Sequence, residues 1–152
     1  MSGAAVVDLY LARGRIRAEI PMQGFTRLSD LLNNATGDFI GAFTYMAHRD
    51  LVVRLRDVRL ARPIEEGPAP VDLGAHRERL RARVVLDLDD WQITGDVHLV
   101  DRIPWLDFAA GARNRFISVS HASVRFVGVA EPLDCQYLLV NGGRISALYE
   151  VG

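Results

Sequence analysis

The chain has 152 residues, 49% apolar and 24% charged, with a formal net charge of −1. That length suits one compact domain or two very small ones, and the composition excludes disorder and the strongly basic footprint of a general nucleic-acid binder. No apolar run approaches the roughly 18 residues of a bilayer span, the stretch Met1–Asp8 lacks the basic start of a signal peptide, and the single cysteine, Cys135, allows no intrachain disulfide, so a cytoplasmic protein is expected.

Along the chain, Ala5, Val7, Leu9 and Leu11 alternate with polar neighbours, and after Arg13-Gly14 the alternation resumes at Ile16, Ala18, Ile20 and Met22. Two period-2 runs around a glycine-containing turn predict a β-hairpin. Arg27–Asn34 follows as a short helix, with Ser29 or Asp30 as its cap and Asn34 to Gly37 as its end. Strands are expected at 39–47, 50–56 and 57–63. Residues 64–76 hold Pro68, Pro70, Gly67 and Gly74 without alternation and read as a stiff linker.

The second half repeats the first. Leu80–Leu88 and Trp91–Leu99 alternate around Asp89-Asp90, Pro104–Gly111 takes the helix position, and strands are expected at 116–126, 136–140 and 144–151. Asn141-Gly142-Gly143 reads as a primed hairpin turn. With an offset of 77, residues 5–40 lie on 82–117 without a gap, and nine of the 36 pairs are identical, among them Leu9/Leu86, Ile16/Ile93, Asp30/Asp107 and Phe39/Phe116. Unrelated sequence of this composition would give roughly two or three. An insertion near Gly128–Cys135 then aligns Leu51-Val52-Val53 with Tyr137-Leu138-Leu139 and Val58 with Ile145. The expectation is a mainly β protein with two tandem five-stranded repeats, 1–63 and 77–152. Each is a small barrel or bent sheet with a short helix after its first hairpin, and the two pack as a pseudo-twofold pair that shares a core.

The order of Gly14-Arg15-Ile16, Arg27-Leu28-Ser29-Asp30-Leu31-Leu32-Asn33 and Phe39-Ile40, then Val140-Asn141 and Ile145 in the second copy, resembles a group of small bacterial domains of unknown function. These carry an RLSD-L-N … FI pattern and look like SH3- or Sm-like barrels. Copy one holds the helical signature, and copy two keeps only its aspartate, Asp107, with the Val-Asn turn. The resemblance implies a fold rather than a chemistry.

Candidate chemistry is sparse. His48, His76, His98 and His121 show no metal-ligand spacing, so no metal or other cofactor is expected. His121 reads as a semi-buried core residue and Cys135 as a buried or idle thiol. Asp87, Asp89, Asp90, Asp96 and Asp101 read as turn and solvated-face residues. Asp30 and Asp107 read as caps or buried bonds to backbone amides.

All 18 basic residues are arginine, as a GC-rich genome would give, and the absence of lysine excludes Schiff-base and P-loop lysine chemistry. Arg79, Arg81 and Arg83 fall on one face of a strand, with Arg77 just before them, and Arg54 and Arg56 share a face of another. These six are the candidate partner-binding residues. They read as edge protection and cross-strand pairing, as a protein-docking surface, or as phosphate contacts. They lack the interleaved aromatics of single-strand binders. The expected function is therefore a non-catalytic adaptor or assembly subunit that binds a protein partner or a second copy, with a nucleic-acid or nucleotide-phosphate binder as the alternative. An enzyme would need His121, Asp107 and Tyr45 to converge.

Overall fold

A computed structural model describes residues 3–65, 80–99 and 101–151. It divides into two compact units, Met1–Val71 and Asp72–Gly152, each with five antiparallel strands.

In the first unit the alternating apolar residues form β1 (Ala4–Leu11), which turns through Ala12-Arg13 into β2 (Gly14–Pro21) with Leu9 opposite Ile16. The turn lies one residue earlier than the alternation predicted. Gly14 is already the first residue of β2, at φ +141°, a value that L side chains rarely adopt. Helix α1 (Leu28–Asn33) buries Leu28, Leu31 and Leu32, the i, i+3, i+4 set of one face. Ser29 and Asp30 do not cap it. Arg27 occupies the cap position but its side chain does not cap the helix, and the helix ends as expected at Asn34, whose Nδ2 donates to the Asp30 carbonyl at 2.7 Å. β3 (Phe39–Thr44) and β4 (Asp50–Arg54) form a second hairpin. A 3₁₀ turn, Leu55–Asp57, leads to β5 (Leu60–Glu65), which pairs with the far side of β1. The order is β5-β1-β2-β3-β4.

The second unit repeats that plan. β6 (Leu80–Leu88) and β7 (Trp91–Leu99) turn through Asp89-Asp90, as predicted, with Leu86 opposite Ile93. Helix α2 (Trp105–Gly111), β8 (Phe116–Phe126), β9 (Leu133–Asn141), a 3₁₀ turn at Gly142–Arg144 and β10 (Ala147–Glu150) follow, in the order β10-β6-β7-β8-β9. The irregular hydrogen bonds recur as well. Leu55 N to Asp38 O, Val58 N to Leu55 O and Arg59 N to Tyr10 O correspond to Gly142 N to Arg115 O, Ile145 N to Gly142 O and Ser146 N to Asp87 O. Each of these is a backbone bond in a turn or at a strand end, where an unsatisfied group would be costly.

The offset is 77 up to Ile40/Ile117. It is 87 from the second hairpin on, because Ile40 pairs with Val53 and Ile117 with Val140. Leu51-Val52-Val53 therefore match Leu138-Leu139-Val140, one residue beyond the predicted alignment, while Val58 does match Ile145. The extra residues lengthen the β8–β9 hairpin.

Three expectations are corrected. Among the described residues no ladder joins β4 to β5 or β9 to β10, so neither unit closes into a barrel; the 3₁₀ turn sends the last strand across to the first instead. For the same reason Asn141-Gly142-Gly143 is not a primed hairpin turn, and neither glycine has positive φ. Ile64 and Glu65 of the expected linker are strand residues, and 66–76 lie outside the described residues.

The core draws mainly on one face of the strands, with both faces covered in parts of β1, β6 and β9. Val7, Leu9, Ala18 and Ile20 with Val53 and Val58 fill it in the first unit, and Val84, Leu86, Leu88, Ile93, Val97, Val119 and Leu138 in the second. Each fully buried Leu or Ile contributes about 1.5–3 kcal/mol. Among the described residues no helix is long and apolar enough to cross a membrane.

Candidate functional site

The six candidate arginines separate. Arg77 and Arg79 lie outside the described residues. Arg81 and Arg83 do share the outer face of β6, which pairs with β7 over its whole length and with β10 over Val84–Asp87, so both arginines precede the β10 ladder. Arg83 sits opposite Asp96 on β7, and its Nη1 donates to the carboxylate at 3.2 Å, so the cross-strand pairing reading holds for it. Arg54 ends β4, whereas Arg56 lies in the 3₁₀ turn, so the two do not share a strand face.

Several side chains on the polar face of the second unit pair with one another. A bulge between Thr94 and Asp96 puts Gly95 against β8, where a β-carbon would overlap Val119 Cγ1 and crowd the Ser120 carbonyl. On the bulged side His121 adopts φ +48° and turns outward, 59% exposed, with Nδ1 3.6 Å from Asp96. It is not the semi-buried core residue expected. Ser120 Oγ meets His98 Nε2 at 3.3 Å, and Ser118 Oγ meets Tyr137 OH at 2.9 Å. Asp96 thus contacts Arg83 and His121, while Ser120 contacts His98. Asp107 is exposed at the third position of α2, as Asp30 is in α1, which favours the helix N-terminus electrostatically and gives neither a buried role. Cys135 is buried on β9. Among the described residues no three His, Cys, Asp or Glu side chains gather as a metal site.

Asp8 was not anticipated. It is fully buried on β1 between Arg17 on β2 and Arg62 on β5, its register partners. Arg17 Nε donates to Oδ1 at 2.8 Å and its Nη2 to Oδ2 at 3.1 Å, while Arg15 Nη1 donates to Oδ2 at 3.3 Å. Burial pushes the carboxyl up, but the Arg17 hydrogen bonds and the charges of Arg15 and Arg17 together outweigh it and hold Asp8 below its ordinary value. Burial, aided by the Asp8 charge and opposed by Arg62, raises the Tyr10 hydroxyl.

The face that continues from Asp8 across β2, β3 and β4 carries rings and arginines in contact. The Arg17 guanidinium lies 5.7 Å from the Tyr45 ring centre and that of Arg54 4.7 Å from Phe39, while His48 stacks on Phe43 at 4.3 Å and sits 3.4 Å from Glu19. Sheet pairing thus brings about the aromatic–arginine interleaving that linear spacing lacked. At its margin β4 ends the strand order. Thr44 N donates to Arg49 O and Leu55 N to Asp38 O, both at 2.8 Å. The alternation of an antiparallel ladder then gives residues 51 and 53 the bonds to β3 and turns the N–H and C=O of Asp50, Val52 and Arg54 outward. Val52 is 68% exposed and Phe39, beside it, 50%. Within Leu51-Val52-Val53 three apolar residues in a row conceal that the middle one faces out; a strict period-2 reading from Ile40 and Ala42 would have found it. No protein family, curated protein or solved structure matches the chain.

Proposed function

We propose that this protein is a non-catalytic adaptor of the bacterial cytosol that docks an extended segment of a protein partner by strand addition to β4. The observation that carries the reading is the free edge. Three residues direct backbone donors and acceptors away from the sheet, Val52 and Phe39 add exposed apolar surface beside them, and no proline interrupts the strand. In strand addition the backbone bonds give affinity and alternate side chains give specificity. Kinship with small SH3- or Sm-like barrel domains belongs to the same proposal. Supporting it are the strand order repeated in both units and the 3₁₀ turn before each last strand.

Nucleic-acid binding is the less favoured reading, because the net charge of −1 gives no basic surface to hold a phosphate backbone. The test is selection of displayed nine-residue peptides on the full chain, followed by amide hydrogen exchange of the best complex. Protection appearing at Asp50, Val52 and Arg54, with affinity reduced about tenfold or more by Val52→Pro, is the expected result. Protection confined to other strands overturns the proposal. So does a salt-sensitive single-stranded RNA complex in place of any peptide complex.

A further inference from the structure

The free edge also specifies its ligand, an inference that rests on the strand-addition reading. On the exposed face β4 presents Asp50, Val52 and Arg54 in sequence, a minus, an apolar and a plus at every second residue. Among the described residues Asp50 has no cationic partner. Arg54 lays its guanidinium over the Phe39 ring and, among the described residues, has no acidic partner. A guanidinium stacked on a ring is held in place while the N–H groups along its edge stay available, the geometry that pairs with a carboxylate.

Every ladder of this unit is antiparallel. We infer that the β4 edge takes an antiparallel peptide reading, from its N-terminus, acidic–x–apolar–x–basic, with the acidic residue on Arg54, a β-branched or aromatic residue on Val52, and the basic residue on Asp50. The three lie in the outward-bonding register, so each opposes its β4 residue directly on the exposed face. The two intervening residues continue the core face beside Leu51 and Val53, where apolar side chains fit.

The experiment uses the full chain and two nonapeptides of identical composition, one acidic-first and one basic-first around the same central valine, in a fluorescence anisotropy titration. The wild type should prefer the acidic-first peptide about tenfold, since two matched pairs are exchanged for two like-charge pairs. The double variant Asp50→Arg/Arg54→Asp should reverse that order. The neutral variant Asp50→Asn/Arg54→Gln should abolish it while still binding, and it serves equally if the swapped protein does not fold. Raising the salt should shrink the wild-type preference. Equal binding of both peptides, with Val52 protected from exchange, overturns the charge register and leaves strand addition standing. Failure of both peptides to bind or to protect Val52 overturns the two together.

Discussion

Asp8 shows how one residue type changes meaning with its neighbours. A carboxylate at a fully buried position is tolerable only because three charge-assisted bonds from Arg17 and Arg15 satisfy it. Its folded-state value is lowered, so its contribution is complete above the unfolded carboxyl range and is lost as pH falls through the folded value. Asp8→Asn should therefore cost about 1–3 kcal/mol at neutral pH, because the freed arginines are partly exposed and can hydrate. The loss should fade as pH falls from the unfolded carboxyl range through the lowered folded value, where the wild-type carboxylate takes up its own proton. Urea denaturation from pH 7 to pH 2.5 measures both. Gly142 depends on space rather than charge. A β-carbon there would overlap the Ala112 carbonyl and lie 2.9 Å from that of Arg115, whereas the first unit has Leu55 at the equivalent place. Gly142→Ala should cost about 3 kcal/mol or more by forcing the α2–β8 turn away, and the drop in melting temperature reports it.

At the scale of the element, β4 is held on one side by alternate residues only. Val52→Pro removes an N–H that points away from β3, so it should cost less than about 1 kcal/mol. Val53→Pro removes one that bonds to Ile40 within the core face and should cost about 3 kcal/mol. Paired denaturation curves of the two variants test the ladder parity independently of any ligand. Its counterpart β9 differs in length and burial. There the hairpin is longer and the four consecutive residues Leu138–Asn141 are all buried.

At the scale of the whole molecule the strand order shared by the two units is the governing feature. Leu9 and Leu86 occupy the same rung of the same hairpin, opposite Ile16 and Ile93, and both are fully buried. Leu9→Ala and Leu86→Ala should each cost about 2–5 kcal/mol and agree with each other within about 1 kcal/mol. Urea midpoints of the two variants decide the matter, and a large inequality would mean that the equivalence is one of register alone. The helices do not share this symmetry: α1 buries three leucines, while the corresponding Trp105, Phe108 and Ala109 of α2 are only half-buried.

The chain's own periodicity determined the ten strands, the two hairpins around Ala12-Arg13 and Asp89-Asp90 to within a residue, the position of both short helices, and the repeat. These follow from local rules: alternating apolar side chains choose a face, and turn residues choose where the chain reverses. Tertiary structure alone decided which strand lies beside which. That placed β5 on β1 rather than β4, left β4 as a free edge, paired Arg83 with Asp96, buried Asp8 among arginines and laid Arg54 on Phe39. Each of these joins residues apart in sequence, and no local preference encodes a contact that exists only once the sheet has formed.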